Sequence, residues 1–542
     1  MTRPSLPTYA TTLGFARAQA DVASTARIAP VAISRRRPGP IDQAPNRPIC
    51  HPSLAELAPA IVREPAAPER PPARAPVDPL RARRIRFRLP VAFAEPGGMA
   101  DLSEPAVVRR LVDRLGFSAG GGALAAAQRR GFDAIAVSLL HPSGADAGVA
   151  ATPAPDVPLL PRPAKGAGGR PDAAALKAWR KELREQQATL AIWWLDRLVA
   201  AAQPTRERLT WFWHGHFATS VQKVRSASLM LGQNETMRRL GAGDFGTLAH
   251  AMIVDPAMLI WLDGNDNTAA APNENLAREY MELFGLGHGN YTEGDVREAA
   301  RALTGWKVDR ATGTARLRPR LHDDGAKTVL GTTADLDADG FVTVVLDRPA
   351  SAEFVASRLW ARLVSADTPP SPDLRDTLLS AYGPGRDVTA LLAAMVASEP
   401  FRATGTSLVK QPVEWLVGLC RSLGVRPSAL AAGQRKRLLA GLRGMGQLPF
   451  RPPSVGGWPA AGGWLTTAAA LARMNTARLV VAAADPVGLA GSSAKTRADD
   501  VRRLLGVDRF SSRTANAIAQ VADQPAAAVA IGAVSPEYTV SA

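Results

Sequence analysis

The sequence predicts a mainly α-helical fold class: a multi-helical globular body with a small β-hairpin insert near residues 305–346. Apolar side chains recur at helical spacing over long stretches of the chain. Within 305–346, in contrast, short runs alternate or are β-branched and are separated by glycine-containing turns. The chain has 542 residues, 46% of them hydrophobic, so it can bury a large core in one large domain or two smaller ones.

Residues 1–98 are predicted to form a disordered extension. They are rich in proline, alanine and arginine, contain few aromatic residues and show no sustained apolar period. The helical domain is therefore expected over residues 99–542. Met99 follows Gly97 and Gly98, and a Gly-Gly pair can be encoded by a purine-rich ribosome-binding sequence. Met99 is thus an alternative start of the protein.

Helix signals then follow one another along the body. Ser103 caps a predicted helix that Gly116 ends, and a second helix is predicted over 124–140. Residues 141–171 are dense in proline and glycine and are predicted to be a linker. Asp172 caps the strongest predicted helix, which we expect in the core. Its apolar stripe consists of Leu176, Trp179, Leu183, Leu190, Trp193 and Leu198.

The insert contains runs that we predict to be strands, namely 306–308, 314–317, 327–330 and 341–346. Between the last two, Asp335, Asp337, Asp339 and Gly340 match the start of a calcium-binding loop. Leu346 stands where such a loop needs a bidentate glutamate, and predicted strands flank the segment. A hairpin turn is therefore favoured over a calcium site.

Charge and cysteine content limit the classes of function that the sequence allows. Lys and Arg number 65 against 49 Asp and Glu, a balance that permits binding to nucleic acid or an anionic surface. The arginines are scattered and no zinc-finger, KH or RRM signature is present, so we do not expect nucleic-acid binding. Cys50 and Cys420, the only cysteines, lie far apart, which argues against a disulfide framework or a cysteine metal site.

Targeting signals are also absent from the sequence as written. No run of about eighteen apolar residues predicts a transmembrane helix. The best basic-then-apolar stretch, over 83–94, is too short and too internal for a secretory signal. The sequence therefore predicts a cytoplasmic protein.

The most unusual segment is the aromatic block, Trp-Phe-Trp-His-Gly-His-Phe over 211–217. If the segment is extended, His214 and His216 point the same way and can bind one metal ion through neutral imidazoles. If it is helical, the two side chains diverge by about 200°. Histidines buried in the core and satisfied by hydrogen bonds are then the alternative interpretation.

A second polar segment, 272–284, is predicted to be a helix capped by Asn273. Glu274, Arg278 and Glu282 stand four residues apart and predict a charge ladder on one face. A structural ladder is one interpretation. In the other, Glu279 or Glu282 complements the histidines as a metal ligand or a general base. A di-iron bundle needs a Glu-x-x-His pair, which this helix lacks.

His322 and Asp323 open a third polar segment, His-Asp-Asp-Gly-Ala-Lys over 322–327, which is either a polar turn or a further part of the same site. The pattern Gly-x-Gly-x-x-Gly over 241–246 follows a predicted helix rather than a strand, so it lacks the context of a phosphate-binding loop. No GxSxG, Walker or HExxH motif is present. The commonest serine hydrolases, NTPases and zincins are thereby excluded.

In their order, several blocks of this sequence resemble the signature blocks of the bacterial DUF1800 family, a domain of unknown function. They are LVDRLGF (111–117), WFWHGHF (211–217), DPAMLIWLD (255–263), PNENLAREYMELFGLG (272–287), YTEGDVREAARALTGW (291–306), HDDGAKTVLG (322–331), VKQPVEWLVG (409–418), VGGWPAAGGWLT (455–466) and SPEY (535–538). The resemblance covers the chain from about residue 105 onward. It implies no established activity, cofactor or catalytic residue.

The resemblance also implies an expected partner and location. Family members are often exported and often encoded beside a sulfatase-like protein of the DUF1501 family. This chain departs from that pattern because it has no recognisable export signal. A sulfatase-like partner is therefore an expectation from resemblance alone.

Two hypotheses of function follow. In the first, the protein binds a divalent metal ion, or is a metal-dependent enzyme, with His214, His216 and His322 as ligands and Glu279, Glu282 and Asp323 as catalytic carboxylates. In the second, it is a non-catalytic assembly or partner-binding protein associated with the sulfatase-like partner. The distances among these side chains discriminate between the two hypotheses.

Overall fold

The computed structural model describes residues 102–165, 169–403, 405–484 and 493–541. The predicted extension over 1–98 and the alternative start at Met99 lie outside the described residues. The predicted fold class is confirmed, because the described residues are 61% helical and form 24 α-helices and three two-stranded antiparallel sheets. No helix of the described part is both long and apolar enough to cross a membrane.

The first half of the body is an array of helices. They are α1 (Glu104–Gly116), α2 (Gly121–Arg130), α3 (Phe132–Leu140), α4 (Ala147–Ala150), α5 (Ala173–Ala200), α6 (Thr205–His216), α7 (Val221–Val224), α8 (Ala227–Leu240), α9 (Phe245–Ile253), α10 (Pro256–Trp261), α11 (Asn275–Glu279) and α12 (Glu293–Ala302). A short π-helix, Tyr280–Gly285, continues α11 directly.

Helices also dominate the second half. They are α13 (Ala338–Leu346), α14 (Pro349–Leu363), α15 (Pro372–Tyr382), α16 (Val388–Ala397), α17 (Glu399–Arg402), α18 (Pro412–Leu423), α19 (Ala432–Gly444), α20 (Thr467–Val481), α21 (Arg497–Leu505), α22 (Ser512–Ala519), α23 (Pro525–Val534) and α24 (Pro536–Thr539).

Helix α5 begins where the sequence predicts it. The Asp172 side chain accepts a hydrogen bond of 2.8 Å from the backbone N–H of Ala175, which satisfies one of the donors left free at a helix start. The single helix predicted over 124–140 is instead two helices, α2 and α3. They are separated at Gly131, whose φ of 79° few residues other than glycine adopt.

The predicted linker over 141–171 contains α4, and part of the rest lies along α5. Three side chains of α5 donate hydrogen bonds to backbone carbonyls of the 141–171 segment: Trp193 to Thr152 at 3.3 Å, Gln186 to Pro158 at 3.2 Å and Trp179 to Leu160 at 3.4 Å. A proline-rich segment offers carbonyls but few N–H groups, so donor side chains on the neighbouring helix suit it.

The insert holds two hairpins. Strand β1 (Trp306–Asp309) pairs with β2 (Thr314–Leu317), and β3 (Lys327–Val329) pairs with β4 (Thr332–Ala334), both antiparallel. A third pair, β5 (Leu408–Val409) with β6 (Val540–Ser541), joins the end of the described chain to the segment before α18.

The strand predicted over 341–346 was wrong, since these residues belong to α13. The Asp337 side chain accepts a hydrogen bond from the Gly340 N–H at 2.9 Å and so caps this helix. Burial of Phe341 and Val345 outweighs the weak helix preference of β-branched residues. The hairpin turn predicted around Asp337 was wrong for the same reason.

Two hydrophobic cores meet at α6. The first core includes Trp213, Phe217, Phe245, Phe284 and Phe341. The second core includes Trp194, Trp211, Trp415, Phe450 and Trp458. Alternate aromatic residues of α6 enter different cores. The rotation of this helix therefore also determines which of the two cores each of its polar side chains faces.

Candidate functional site

The two histidines of the aromatic block lie on α6 and face different cores. The His214 ring is 5.2 Å from the Trp194 ring in the second core, whereas the His216 ring is 6.1 Å from the Phe284 ring in the first. Of the two arrangements considered from the sequence, the helical one is observed. Joint ligation of one ion by both rings, which needs an extended segment, does not fit this geometry.

His214 is a buried, neutral hydrogen-bond acceptor. The backbone N–H of Phe450 donates to its Nε2 at 3.0 Å, so the ring proton is on Nδ1. Burial lowers the pKa of His214 from 6.5 to about 3. The ring therefore joins α6 to the segment after α19 and remains uncharged at neutral pH.

His216 is also buried but has one nitrogen without a partner. Its Nε2–H donates to the backbone carbonyl of Phe284 at 2.9 Å, which leaves Nδ1 as the unprotonated nitrogen. That Nδ1 is buried and has no hydrogen-bond partner among the described residues. Burial and then the charge of Arg358 lower the pKa of His216, so this ring is also neutral.

His322 and Asp323 are held at the insert by local partners. The Nδ1 of His322 lies 3.0 Å from the carbonyl of Thr304, a bond in which the imidazole donates. Arg301 donates from Nε and Nη2 to both oxygens of Asp323, at 2.7 and 3.1 Å. The hydrogen bond from Arg301 lowers the pKa of Asp323, so this carboxylate is ionised.

Of the predicted charge ladder, the pair between Glu274 and Arg278 forms, but Glu282 does not pair with Arg278. Arg278 contacts Glu274 at 3.0 Å and Glu293 at 2.6 Å. Glu282 instead accepts a hydrogen bond of 2.7 Å from the Tyr291 hydroxyl. The reason is the π-helix, whose wider turn changes the side-chain register after α11 and so breaks the four-residue spacing.

Glu279 has no hydrogen-bond partner among the described residues. It is partly buried at the end of α11, and burial, followed by the charge of Glu282, raises its pKa. These two predicted carboxylates are therefore neighbours. The π-helix that follows packs against the aromatic block through the Phe217 and Phe284 rings, 5.3 Å apart.

The predicted site residues as a set are not gathered. Within the described parts of the chain, no group of three or more histidine, cysteine, aspartate or glutamate side chains is placed to hold a metal ion. The structure brings Glu279 close to Glu282, and it places His214, His216 and His322 with separate backbone partners.

A different polar group adjoins the aromatic block, and we call it the arginine cluster: Arg208, Arg358 and Arg362. Arg358 and Arg362 stand one turn apart on α14, so they lie on one face of that helix. Burial lowers the pKa of Arg362, the charge of Glu414 raises it, and the charges of Arg358 and of Arg208 on α6 lower it. The three positive charges therefore lie near one another, on two helices that approach where the His216 ring of α6 is 6.1 Å from the Phe354 ring of α14.

Among the described residues, Glu414 is the acidic neighbour of the arginine cluster. Glu414 of α18 contacts Arg208, with Nη1 and Oε1 2.5 Å apart, and its Oε2 accepts a hydrogen bond from the Gln411 N–H at 3.0 Å. Arg358 and Arg362 form no ion pair or hydrogen bond within the described residues. Burial lowers the pKa of both, that of Arg362 to about 10, although each side chain keeps partial exposure.

Aromatic rings lie beside the arginine cluster. The guanidinium carbon of Arg358 is 5.9 Å from the centre of the Phe354 ring, and the Phe354 ring is 6.1 Å from that of His216. Sequence reasoning missed these arginines because their spacing is ordinary in a helix. Their relation to Arg208 exists only through packing.

The family model described as "Protein of unknown function (DUF1800)" matches residues 110–540, so the chain belongs to this family. The family membership that the resemblance indicated is thereby confirmed. No curated protein and no solved structure was found to match the chain.

Proposed function

We propose that this DUF1800 family member is a binding protein that holds an anionic group of its ligand or protein partner at the arginine cluster. One observation carries the proposal. Burial lowers the pKa of both Arg358 and Arg362, and the charges of Arg358 and Arg208 also act on Arg362, yet the carboxylate of the described chain that opposes these charges, Glu414, is bound to Arg208. A bound oxyanion supplies the missing counter-charge.

Energetics favour a ligand over a structural role for these two arginines. Removing a guanidinium from water without a paired carboxylate costs several kcal/mol, and like charges add to that cost. Groups whose pKa is perturbed in this way are concentrated at functional sites. The partial exposure of Arg358 and Arg362 leaves the cluster within reach of solvent.

The chemistry of the side chains suggests the kind of ligand. Guanidinium groups bind carboxylate, sulfate and phosphate through paired N–H donors. The Phe354 ring beside Arg358 offers an apolar wall. The sulfatase-like DUF1501 protein is one candidate partner, and we propose that it contacts this surface through an acidic or sulfate-bearing group.

Replacing Arg358 and Arg362 together by glutamine tests the proposal. We expect sulfate or phosphate to raise the thermal midpoint of the wild type above that in chloride of equal ionic strength, by about 1–3 °C at ten times Kd. The double variant should lose this difference. Without anion it should be more stable than the wild type by about 1–3 kcal/mol, because the uncompensated charges are removed.

The matched control is Arg375→Gln on α15, an exposed arginine whose partner is the adjacent Asp376 at 3.2 Å. This variant should respond to sulfate as the wild type does. The proposal fails if the wild type shows no sulfate-specific shift, or if the control loses the shift to the same extent.

A metal site at His216 is the second candidate, and the unpartnered Nδ1 favours it. A ligating imidazole characteristically donates its other N–H to a backbone carbonyl, as His216 does to Phe284. The positive charge of Arg358 opposes a cation there. Further ligands such as Glu279 or Glu282 would also have to move towards the ring.

Metal analysis of protein purified without an affinity tag tests this candidate. Zinc, iron or copper that is retained by the wild type and lost in His216→Gln would support a metal site. A metal-free wild type that also fails to bind added ions would refute it.

A further inference from the structure

A buried arginine on α20 has an unused pair of hydrogen-bond donors. Arg473 is 3% exposed and donates from Nη1 to the backbone carbonyl of Trp464 at 3.0 Å. Its Nε and Nη2 are buried and have no hydrogen-bond partner among the described residues. These two nitrogens form one edge of the guanidinium plane, which is the edge that matches two oxygens of a carboxylate.

Elsewhere in this protein the same edge binds carboxylates. Arg301 uses Nε and Nη2 to contact both oxygens of Asp323, at 2.7 and 3.1 Å. Arg238 uses the same two nitrogens to contact Glu207, at 2.6 and 3.0 Å. At Arg473 the same pair of donors is present, and no residue of the described chain supplies the acid.

The residue that holds Arg473 has an unused donor of its own. Trp464 is 1% exposed, and its indole Nε1 has no hydrogen-bond partner in the described part of the chain. A buried donor without an acceptor costs about 1–3 kcal/mol. Two neighbouring residues with three such donors indicate a place for an acceptor that the described chain does not supply.

The segment before Arg473 lacks charge. Residues 452–472 contain no acidic or basic side chain, so this stretch provides no counter-ion. Leu465, next to Trp464, exposes 45% of its surface. The surroundings therefore suit an acid whose remaining part is apolar.

The loop before α20, residues 455–463, is glycine-rich and is anchored at one end. Gly457 has a φ of 84°, and a Cβ there would lie 2.4 Å from the Gly215 carbonyl of α6, so its backbone sits directly on that helix. Gly462 and Gly463 stand just before Trp464. Because glycine has the widest choice of backbone conformations, this end of the loop is suited to open for a ligand.

We propose that Arg473 and Trp464 bind an organic carboxylate that carries an apolar substituent, with its two oxygens across Nε and Nη2 of Arg473. The indole N–H supplies a further donor, and the uncharged segment around Leu465 contacts the apolar part. This site is independent of the arginine cluster, since it lies on α20 and the preceding loop.

The test compares three probes added to the full chain: benzoate, its neutral analogue benzyl alcohol, and sulfate. Benzoate should raise the thermal midpoint of the wild type by about 1–3 °C at ten times its Kd. Benzyl alcohol should not reproduce this shift, because it has no charge for the guanidinium. Sulfate should be weaker than benzoate at this site, since it has no apolar part.

Two variants locate the effect. Arg473→Met removes the donor edge and should abolish the benzoate shift. Arg473→Lys keeps the charge but not the fork, and we expect it to bind benzoate at least about tenfold more weakly. Arg478→Met, an exposed arginine on the same helix, is the matched control and should respond as the wild type does.

The same titration in the Arg358→Gln, Arg362→Gln background separates the two sites. A benzoate shift that persists there supports the Arg473 site whatever the outcome at the arginine cluster. The inference is overturned if benzoate is no better than benzyl alcohol on the wild type, or if Arg473→Lys and the Arg478 control respond equally.

Discussion

Replacement of Glu207 by glutamine is expected to destabilise the protein by about 3–5 kcal/mol, because it removes the buried carboxylate that pairs with the buried Arg238 and the partly buried Arg197. Glu207 is 1% exposed. It contacts Arg238 through both oxygens, at 2.6 and 3.0 Å, and Arg197 at 2.7 Å, and it accepts a hydrogen bond from the Trp194 indole at 3.2 Å. These partners come from α5 and α8, so this carboxylate fixes both helices against α6.

The measurement is the denaturant midpoint of the two proteins, converted to the free energy of unfolding. Glu235→Gln is the matched control, because Glu235 contacts the same Arg238 at 2.6 Å but its side chain is 42% exposed. We expect that variant to lose less than about 1 kcal/mol. A loss below about 1 kcal/mol for Glu207→Gln would show that the network contributes little.

Local sequence patterns were sufficient to predict those helices and strands whose own residues determine their structure. The helical stripe after Asp172 predicted α5, and three of the turn-separated runs predicted β1, β2 and β3, whereas β4 was not predicted. The strand prediction for 341–346 was wrong because its β-branched residues favour a strand locally, whereas the cap at Asp337 and burial in the first core determine a helix. Tertiary burial overrides a weak local preference.

The candidate site was harder to predict, for two physical reasons. The π-helix at Tyr280 changes the register of the following side chains, and no spacing rule based on 3.6 residues per turn anticipates it. The arginine cluster joins Arg208 to Arg358 and Arg362, which are distant in sequence. Only the packing of α6 against α14 brings them together, whereas the pattern of each helix alone is ordinary.

The aromatic block contains one feature that its sequence predicted correctly and one that it did not. Its composition indicated burial of His214 and His216, and both are 1% exposed. Sequence proximity suggested a shared role, but the helical rotation of α6 places each ring in a different core. Their chemistry is therefore set by separate neighbours: Phe450 for His214, Phe284 and Arg358 for His216.

Acid should destabilise the protein through His214. Burial lowers its pKa in the folded state from 6.5 to about 3, so the folded protein keeps this ring neutral while the unfolded chain takes up a proton. The stabilising contribution is therefore fully present above pH 6.5 and is lost as the pH falls from 6.5 towards 3. The loss from this group is about 2 kcal/mol at about pH 5 and rises to about 4 kcal/mol near about pH 3.

Urea midpoints of the wild type and His214→Gln, measured between about pH 7 and about pH 5, test this. Glutamine keeps an oxygen that accepts from the Phe450 N–H but cannot be protonated in this range. The variant should therefore lack the acid-dependent loss of about 2 kcal/mol. Asp255 acts in the opposite direction, because burial raises its pKa to about 6, but it is present in both proteins and cancels in the difference.

His288→Gln, at a side chain that is 88% exposed, should retain the wild-type pH dependence. Equal slopes for the wild type and His214→Gln would mean that His214 does not control the acid sensitivity of the fold.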